Sequence, residues 1–515
     1  MYQISLEEVR ALLASHGLLR EIVVPPQSGN GAAHTRPSAR VFTRVFTRVF
    51  TKLSYDSREA GKDTLFFVKG LNFREEYLAE AFANGLEAYV AERLFERAGI
   101  ALIVTDVKKA MALIGMEFYG RPGEKLRLIA FTGTKGKTTA AYFTKHILDY
   151  TTGGKTALVS TIDTTLDGVR YSKSRLTTPE SLDLLRMMAE AAENGMTYMV
   201  VEVSSQAYKT DRVYGIRFDL GIFLNISPDH IGPVEHPSFE DYLFCKCRLL
   251  RNSDTVIINR NSDHFARLLE EAANKTAYIY GTEKQGVHVY AEPLPDDPLC
   301  FTIRPGELAG LEDIQGNYRL KLAGGFNREN AVAAAVAARL AGASPEDIAR
   351  GIAETSVPGR MEIIEGKNGS GVYIDYAHNK ASLEALLGVV KENHKGRVIV
   401  VLGATGGKGQ SRRKGLGLVL DAMADAAVLT SDDPGFEDPK AIAEEIRAAM
   451  TEPEKARIIV DREQAIRYAL SLSKGPGDAV VIAGKGADRF QITGGVKTPY
   501  DGDRAAAERI IGDIS

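Results

Sequence analysis

The chain of 515 residues is too long for one ordinary hydrophobic core, so we expect two to four domains. Hydrophobic residues make up 44% and charged residues 25%, as in globular proteins, and a net charge of only -3 excludes a broadly basic nucleic-acid-binding surface. The three cysteines, Cys245, Cys247 and Cys300, match neither a disulfide framework nor a zinc spacing. No apolar run reaches the roughly 20 residues that span a bilayer and no signal peptide is visible, so we expect a cytoplasmic protein without membrane insertion.

The first part of the chain, residues 1–122, is predicted to form a domain of its own. It carries a strand-like run at Thr64–Val68 and a helical run at Glu75–Gly85, and a turn-rich break follows at Gly120–Gly123. The tetrapeptide Arg-Val-Phe-Thr occurs three times in tandem across Arg40–Thr51. We interpret this repeat as a duplication that is tolerated in a loop or at a strand edge.

The rest of the chain alternates apolar strands with helices, which is typical of an α/β protein with doubly wound, mainly parallel sheets. A break at Pro358-Gly359 divides it into a predicted second domain, 123–357, and a third, 358–515. In the second domain we predict strands at Leu126–Phe131, Lys155–Ser160, Met199–Glu202 and Leu220–Asn225, and helices from Thr138 and at Leu182–Asn194. In the third domain we predict strands at Val372–Asp375, Val398–Leu402, Ala426–Thr430, Arg457–Val460 and Ala479–Ile482.

A glycine-rich loop, Gly133-Thr-Lys-Gly-Lys137, lies between a predicted strand and a predicted helix. Glycines let backbone N–H groups approach phosphate oxygens, the helix N-terminus favours negative charge, and Lys137 adds a cation. The hydroxyl of Thr138 is placed to ligate Mg²⁺. The strict P-loop pattern requires glycine at position 131, where this chain has Phe131. We therefore predict a nucleotide site at a shortened phosphate loop.

The shortened loop resembles that of the Mur ligases, enzymes that extend the peptide of bacterial cell-wall precursors. Other motifs of that family follow in the same order, from Ser57-Arg58 to nearly the C-terminus. They are Leu176-Thr-Thr-Pro-Glu180, Glu202-Val-Ser-Ser-Gln206 with Arg212, Asn225-Ile-Ser-Pro-Asp-His230, Phe326-Asn-Arg-Glu-Asn330, Gly359-Arg-Met-Glu362, Asp375-Tyr-Ala-His378 and Gly484-Lys-Gly486. The resemblance implies three domains: one that anchors a UDP-linked precursor, a central P-loop ATPase, and a C-terminal Rossmann-like domain that binds an amino acid.

The resemblance also implies a reaction and its cofactors, ATP and Mg²⁺ at two sites. The γ-phosphate of ATP passes to a substrate carboxylate, and an amine then attacks the acyl phosphate. Phosphoryl transfer mostly requires positioning and charge neutralisation, so the chemistry calls for cations near the carboxylate. The implied nucleotide-binding residues are Gly133, Thr134, Lys135, Gly136, Lys137, Thr138, Thr139, Asn327, Arg360, Asp375 and His378.

Four residues are implied metal ligands, and three residues are implied to be catalytic. The ligands are Thr138, Glu202, His230 and Lys246, and the catalytic residues are Lys137, His230 and Lys246. Glu202 ends a predicted buried strand, where a carboxylate is costly unless it is paired or bound to metal. Lys246 lies in an apolar stretch, where a lysine either reaches to solvent or is buried and loses its charge. A neutral amine can add CO₂, and the family carries a carbamylated lysine at this position.

The precursor is expected to contact residues of the first and second domains. By resemblance, Ser57 matches the segment that holds the uridine end, and Thr177, Thr178, Ser204 and Arg212 match contacts to the muramoyl-peptide. Hydroxyl groups and an arginine suit carboxylates and phosphates. We expect a monomer that acts on small-molecule substrates and binds no nucleic acid.

The incoming amino acid is predicted from Asp432-Asp433-Pro434-Gly435. Relatives that add meso-diaminopimelate carry Asp-Asn-Pro-Arg at this place, and Gly435 lacks the guanidinium that grips the distal carboxylate. Asp432, Asp433 and Asp488, with Glu437, form an acidic set suited to a distal ammonium, so we expect L-lysine to be added to a UDP-N-acetylmuramoyl-L-alanyl-D-glutamate precursor.

Some alternatives stay open at this point. Gly435 departs slightly from the lysine-adding relatives as well, which leaves ornithine or meso-diaminopimelate as substrates. A folate polyglutamylating ligase shares the ATPase core. Arg412 and Arg413 either contribute to the amino-acid or phosphate side or form a solvated basic turn.

Overall fold

The computed structural model describes residues 2–24, 47–70, 73–95, 99–232, 235–295, 297, 299–322, 324–407 and 410–513. The chain forms two compact units, Met1–Lys137 with Leu148–Ile279, and Thr138–Ile147 with Tyr280–Ser515. Within the described ranges, no helix combines the length and apolar character needed to cross a membrane. Most of the repeat Arg40–Thr51 lies outside these ranges.

The first unit contains a five-stranded sheet near the N-terminus. Its strands, in spatial order, are Leu19–Val23, Ile100–Val104, Ala88–Ala91, Thr64–Phe67 and Lys52–Ser54. The first strand is antiparallel to its neighbour, and the others run parallel. The accompanying helices are Leu6–Ser15, the 3-10 turn Ser57–Glu59, Glu75–Ala83 and Val107–Phe118. The last copy of the tetrapeptide repeat supplies Val49–Phe50, a short strand that pairs with Ile4–Ser5.

A second sheet in the first unit carries the glycine-rich loop. Its strands, in spatial order, are Ser172–Lys173, Asp163–Thr165, Thr156–Val159, Tyr198–Glu202, Arg127–Thr132, Phe218–Phe223, Ser253–Asn259 and Thr276–Gly281, the last of which leads into the second unit. The helices of this unit are the 3-10 turn Pro122–Lys125, Ser181–Glu193, Ser205–Lys209, Phe239–Arg251 and Phe265–Glu271. A further helix, Lys137–Thr152, begins at the end of the loop, and its residues Thr138–Ile147 are counted with the second unit. The central strands are parallel and buried along nearly their whole length, as in sheets covered by helices on both faces.

The parallel strands bring three chain segments to one edge of this sheet. Glu202 is in register with Phe131, and Phe223 is in register with Thr132. The glycine-rich loop, the carboxylate of Glu202 and the segment after Phe223 therefore lie at the carboxyl ends of adjacent strands, where open α/β sheets bind ligands.

The second unit is built around a six-stranded sheet. Its strands, in spatial order, are Glu362–Glu365, Gly371–Asp375, Ala479–Ala483, Val398–Leu402, Ala426–Leu429 and Ala456–Ile458. All neighbours are parallel except the first pair. Antiparallel strands lie at Val289–Pro293, Cys300–Pro305 and Gly316–Arg319, and a hairpin joins Phe490–Thr493 to Val496–Pro499. The helices are Glu312–Ile314 (3-10), Gly325–Leu340, Pro345–Glu354, Lys380–Asn393, Gln410–Met423, Pro439–Arg447, Pro453–Lys455 (3-10), Arg462–Leu472 and Asp503–Asp513.

The predicted α/β class is confirmed, and most of the predicted strands lie within one or two residues of the observed ones. The largest shift is at Leu220–Asn225, where the observed strand is Phe218–Phe223. Asn225 lies two residues beyond the strand, and its side chain forms hydrogen bonds with the Lys135 backbone in the glycine-rich loop. The apolar pattern extends beyond the strand because the chain stays buried at Leu224.

Candidate active site

The glycine-rich loop leaves the strand Arg127–Thr132 and enters the helix Lys137–Thr152. Gly136, at the helix N-cap, has a φ of +82°, a left-handed conformation that glycine adopts without strain. The Asn225 Oδ1 accepts a hydrogen bond from the Lys135 N–H at 2.9 Å, and the Asn225 Nδ2 donates to the Lys135 carbonyl at 3.1 Å. The loop is therefore held in shape in front of a helix N-terminus, which is a favourable place for phosphate.

Two lysines converge on one carbonyl of this loop. The Nζ of Lys137 donates to the Gly133 carbonyl oxygen at 2.9 Å, and the Nζ of Lys246 donates to the same oxygen at 2.7 Å. Lys246 is only 2% exposed, and it forms no ion pair in the part of the chain that the structure describes. Burial, and then the nearby charge of Lys137, lower the pKa of Lys246 well below its usual range. The structure therefore favours a neutral amine at Lys246.

Glu202 ends its strand with a fully buried side chain. Its Oε1 accepts from the Thr161 N–H at 2.8 Å, and its Oε2 accepts from the Thr161 hydroxyl at 3.0 Å. The same hydroxyl lies 3.1 Å from the hydroxyl of Thr177. No lysine, arginine or histidine of the described ranges pairs with Glu202. A buried carboxylate that meets only neutral donors is suited to a divalent cation.

Hydroxyl groups line the chain beside Glu202. The Thr178 hydroxyl donates to the Glu202 carbonyl at 2.9 Å and accepts from the Ser204 N–H at 3.0 Å. The Arg212 guanidinium donates from Nη1 to the Thr178 carbonyl at 3.1 Å. The structure thus brings together Thr178, Ser204 and Arg212, three of the residues that the sequence predicts to contact a precursor.

Glu180 joins this cluster to a cation that the sequence reasoning missed. Its Oε1 lies 3.1 Å from the Arg212 Nε, and its Oε2 accepts from the Lys69 Nζ at 2.7 Å. Lys69 also lies over the ring of Tyr55, with Nζ 4.1 Å from the ring centroid. Lys69 and Glu180 are separated by 111 residues, so no local pattern in the sequence reveals the pair.

His230 adopts a φ of +55°, which is uncommon for a residue other than glycine. Its Nδ1 lies 2.7 Å from the Glu235 Oε1. A carboxylate that holds one ring nitrogen fixes the orientation of the other, as is usual for histidines that ligate metal. His230 is partly exposed, in contrast to Glu202 and Lys246.

A second histidine, His236, was not singled out from the sequence. It is fully buried, with Nδ1 2.6 Å from the Asp241 Oδ2 and Nε2 2.9 Å from the Ser205 hydroxyl. Burial lowers the pKa of His236 below its ordinary value. These contacts join the short helix Ser205–Lys209 to the helix Phe239–Arg251, which carries Lys246.

The potential ligand atoms of His236, Asp241 and Cys245 lie within 4.8 Å of one another. The Lys209 Nζ, however, already lies 2.7 Å from the Asp241 Oδ2. Hydrogen bonds and an ion pair therefore account for this cluster without a metal ion.

Ser57 and Arg58, whose segment is predicted to hold the uridine end, lie in the 3-10 turn Ser57–Glu59, after the strand Lys52–Ser54. Ser57 is 8% exposed, and its hydroxyl donates to the Glu80 Oε2 at 2.6 Å. Arg58 is exposed and pairs with Asp56 at 2.5 Å. Arg58 is therefore the more accessible of the two residues.

Asp375 ends a parallel strand of the second unit and caps the turns on both sides of it. Its Oδ2 accepts from the Met361 N–H and its Oδ1 from the Ala377 N–H, both at 2.8 Å. Burial raises the pKa of Asp375, and the nearby charge of Arg360 opposes that rise.

The other predicted nucleotide contacts of the second unit lie close to Asp375 in the chain or on a helix. The Arg360 guanidinium lies 4.7 Å from the ring centroid of Tyr376, and the His378 Nδ1 lies 2.9 Å from the Tyr376 carbonyl oxygen. Asn327 is buried near the start of the helix Gly325–Leu340.

A buried lysine, Lys485, lies between two carboxylates of the predicted acidic set. The Nζ of Lys485 lies 3.1 Å from the Asp432 Oδ1 and 2.7 Å from the Asp433 Oδ1. Lys485 is fully buried and Asp432 is 5% exposed. Sequence reasoning placed Lys485 in a motif but gave it no role, because the carboxylates that it meets are more than 50 residues away, at separations of 53 and 52.

Glu437 is also engaged, so it is not available as a free acidic group. It lies 2.8 Å from an Nη of Arg413 and accepts from the Gly407 N–H at 2.5 Å. Arg413 is 2% exposed and pairs with Glu445 as well, so its side chain is a buried, paired cation and not part of a solvated turn.

Gly435 lies at a tight turn, two residues after Asp433. It has a φ of +60°, and its N–H donates to the Ile492 carbonyl at 3.0 Å. A side chain added at Gly435 would meet its nearest neighbour, the Gly406 carbonyl oxygen, only at 4.0 Å. The position thus has room for a side chain but prefers glycine or asparagine in its backbone.

Comparisons with known proteins match two parts of the chain to models of protein families. Residues 131–338 match the Mur ligase middle domain, and residues 359–486 match the Mur ligase, glutamate ligase domain. A UDP-N-acetylmuramoyl-L-alanyl-D-glutamate--L-lysine ligase of Enterococcus faecalis is 51% identical over 514 residues, which cover 99% of either chain. The enzyme of the same name from Streptococcus pneumoniae is 49% identical over 509 residues, which cover 99% of this chain and 100% of the relative.

Solved structures show the same likeness in the fold. A UDP-N-acetylmuramoyl-L-alanyl-D-glutamate--2,6-diaminopimelate ligase is 25% identical, with a TM-score of 0.63 over 91% of this chain and 96% of the other. A folylpolyglutamate synthase of Mycobacterium tuberculosis, solved with ADP, is 20% identical, with a TM-score of 0.58 over 72% of this chain and 90% of the other.

We expect the substitution Lys246→Met to stabilise the protein near neutral pH in CO₂-free buffer. The folded-state pKa of Lys246 lies below the unfolded value of about 10.4, so the unfolded chain binds the additional proton and folding is penalised by about 1.4 kcal/mol for each unit of that difference. The gain in the free energy of unfolding is expected to be largest below the folded-state pKa and to vanish as the pH rises to the unfolded value.

Denaturation curves of the wild-type protein and the variant, recorded from acidic pH to about pH 10.4, measure the change in the free energy of unfolding. Lys155→Met, at an exposed lysine of the same unit, is the control and should change the free energy of unfolding by less than about 0.5 kcal/mol. A stabilisation by Lys246→Met that does not depend on pH would contradict a neutral amine.

Proposed function

The chain belongs to the Mur ligase family, and on that basis we propose that it joins L-lysine to UDP-N-acetylmuramoyl-L-alanyl-D-glutamate while ATP is cleaved to ADP and inorganic phosphate. The new bond links the lysine amine to the D-glutamate carboxylate and extends a peptidoglycan precursor. Relatives named for this reaction are similar over nearly the whole chain. The structural observation that carries the proposal is the buried amine of Lys246 on the Gly133 carbonyl, next to Lys137.

The glycine-rich loop is suited to hold the phosphates of ATP. Backbone N–H groups of residues 133–139 and the helix N-terminus favour the negative charge of phosphate, and Lys137 can exchange its hydrogen bond to the Gly133 carbonyl for a phosphate oxygen. A carboxylate oxygen of the precursor then attacks the γ-phosphorus, and the bond from this phosphorus to the bridging oxygen breaks, which releases ADP.

The acyl phosphate formed in this way is the activated form of the carboxylate. The unprotonated amine of lysine attacks the carbonyl carbon, and inorganic phosphate leaves with the oxygen that came from the carboxylate. The amine loses a proton as the amide forms. The protein must therefore hold three substrates in order and keep water from the acyl phosphate.

Magnesium ions prefer oxygen donors, and the side chains of Thr138 and Glu202 supply them. Glu202 provides a buried carboxylate without a cationic partner among the described residues, and His230 is held at one nitrogen by Glu235. We propose Thr138, Glu202, His230 and Lys246 as the residues that hold two Mg²⁺ ions. Bound Mg²⁺ would neutralise charge on the phosphates as the phosphoryl group moves.

Lys246 becomes a plausible metal ligand only after a covalent change. A neutral amine attacks CO₂, a nitrogen–carbon bond forms, and loss of one amine proton leaves an anionic carbamate. Burial supports the first step because it disfavours the ammonium form and so lowers the pKa of Lys246. The product is a carboxylate-like oxygen donor, which hard divalent cations prefer.

The precursor is proposed to bind along the hydroxyl-lined segment of the first unit. Thr177, Thr178, Ser204 and Arg212 would contact the muramoyl-peptide, and Ser57 would contact the uridine end. Support comes from the contacts that place Thr178, Ser204 and Arg212 together beside Glu202.

The second unit supplies the remaining proposed contacts. Asn327, Arg360, Asp375 and His378 are proposed to contact the nucleotide, and Asp432, Asp433, Pro434, Gly435 and Asp488 to contact the amino acid.

We also propose domain limits of 1–122, 123–357 and 358–515, supported by the 3-10 turn Pro122–Lys125 and by family matches that begin at 131 and 359. A cytoplasmic location is proposed because the reaction consumes ATP.

Release of ADP is expected to require lysine and the UDP-muramoyl-dipeptide together. Lysine and ornithine should both be preferred to meso-diaminopimelate, because Gly435 offers no guanidinium for a second carboxylate. Lysine, which the relatives are named for, should be the better of the two. Initial rates with each amino acid at saturating ATP and precursor measure the order. Chelation of Mg²⁺ should abolish the release and added Mg²⁺ should restore it. A preference for meso-diaminopimelate would contradict the assignment of lysine as the substrate. Release of ADP with folate and glutamate would contradict the proposed reaction itself.

Arg212→Ala is expected to raise the KM for the precursor at least about tenfold, with a much smaller change in the KM for ATP, because a partly buried cation beside Thr178 is lost. Arg217→Ala removes an arginine that is 70% exposed in the same unit and is the matched control. Initial-rate kinetics with each substrate varied in turn provide the comparison. Equal KM values for the precursor in the two variants would exclude Arg212 from its binding.

A further inference from the structure

Lys485 is a fully buried cation placed between two carboxylates of the proposed amino-acid site. Its Nζ lies 3.1 Å from the Asp432 Oδ1 and 2.7 Å from the Asp433 Oδ1. The Asp433 Oδ1 also accepts from the Ile492 N–H at 3.0 Å. The acidic pair is therefore already partly neutralised before any amino acid binds.

A second buried ion pair supports the same two loops. Arg462 and Asp503 are both nearly inaccessible, and the Arg462 Nε lies 2.7 Å from the Asp503 Oδ1. Arg462 also donates to the Ser431 carbonyl at 3.3 Å and to the Ala483 carbonyl at 2.9 Å. These carbonyls directly precede Asp432 and Gly484, so Arg462 joins the loop of the acidic pair to the loop of Lys485.

The charges of this network do not cancel. Its cations are Lys485 and Arg462, and its carboxylates are Asp432, Asp433 and Asp503, which leaves one net negative charge. Asp433 has the most accessible side chain of the five, at 17% exposed, whereas Asp432 is at 6% and the others are at 1% or below. Asp433 is thus the carboxylate of this network that a ligand can reach most readily, and its Oδ1 is held by Lys485.

Glycines keep the loops close together around this charge. A Cβ at Gly484 would lie 3.2 Å from the Asp432 Oδ2, and one at Gly406 would lie 1.9 Å from the Pro434 carbonyl oxygen. The Gly406 N–H donates to the Asp433 carbonyl at 2.9 Å. The backbone therefore limits how far the Asp433 carboxylate can move.

We propose that Lys485 is a positioning residue that leaves the amino-acid site with one available negative charge, on Asp433, and holds that carboxylate for the distal ammonium of the incoming diamino acid. This inference rests on the proposed function. It changes the role of Asp432, which pairs with Lys485 in the buried network, and it makes Asp433, with the nearby Asp488, the group that meets the substrate.

A purely structural role for Lys485 would have a different signature. Loss of a structural cation lowers stability and weakens the reaction with every substrate together. Loss of a positioning cation acts through Asp433, so it changes the KM for lysine and the pH at which that KM rises. The polar and charged groups that act on Asp433 in the described ranges are Lys485, Asp432 and the Ile492 N–H. Tyr376 is close enough to sense the charges of Asp433 and Asp488.

The direction of the pH effect follows from these contacts. Burial raises the pKa of Asp433, and the hydrogen bond and charge of Lys485 oppose that rise. Without Lys485 the Asp433 carboxyl therefore takes up its proton at a higher pH. The acid limb of kcat/KM for lysine should move to higher pH in the Lys485→Met variant.

The test compares Lys485→Met, Asp433→Asn and the double variant with the full-length enzyme. In Lys485→Met we expect the KM for lysine to rise at least about tenfold, the KM values for ATP and the precursor to stay within about twofold, and the acid limb to shift. Asp433→Asn keeps a side chain of similar size and so remains a test if Lys485→Met fails to fold. In Asp433→Asn the KM for lysine should rise, and the acid limb of kcat/KM should be absent. The double variant should lack the limb as well.

Lys497→Met is the matched control, because Lys497 is exposed on the hairpin that follows and lies over Phe490. An unchanged KM for lysine in folded Lys485→Met and Asp433→Asn would overturn the inference, as would a parallel rise of all three KM values with a lower melting temperature. Wild-type enzyme that releases no ADP with lysine would instead refute the proposed function, so the two failures are distinguishable.

Discussion

The contact on which the rest of the site depends is that of two lysine amines with one backbone carbonyl. Lys137 and Lys246 both donate to the Gly133 oxygen, and Lys246 does so from inside the protein. Burial disfavours the ammonium form of Lys246, and repulsion by the Lys137 ammonium adds to this effect, while the charge of Asp229 opposes it. The arrangement is stable when the buried amine is neutral, and a neutral amine is also the form that can take up CO₂. Packing of the helix Phe239–Arg251 thus determines the chemistry of the residue that it carries.

Both proposed binding regions use the same feature of α/β folds. Parallel strands end at a common edge, so short loops from strands that are far apart in the chain meet there. In the first unit this edge carries the glycine-rich loop, Glu202 and Asn225. In the second unit it carries Asp375, the acidic pair after Leu429, and Lys485 after Ala483. Buried ion pairs and glycine contacts then hold the loops, so the polar groups keep their positions while the strands beneath supply stability.

Local patterns in the sequence were sufficient to predict the strands, the loop and the buried carboxylate of Glu202. Each depends on residues that are close in the chain: an apolar run, glycines before a helix, or an acid at a strand end. Partners from distant segments were not predictable in this way. Lys69 meets Glu180, and Lys485 meets Asp432, across separations of 111 and 53 residues, so only the fold brings these groups together. The same limit explains why Lys485 was not expected beside Asp432 and Asp433, although its Nζ lies 3.1 Å and 2.7 Å from their carboxylate oxygens.

The central claim is that Lys246 is a neutral amine that becomes an anionic metal ligand by adding CO₂. Carbon-13 NMR of the protein equilibrated with ¹³CO₂ tests it most directly. We expect one carbamate resonance in the wild-type enzyme, lost on acidification and absent from Lys246→Met, while Lys155→Met retains it. Absence of the resonance from active wild-type enzyme, or its persistence in Lys246→Met, would contradict the account.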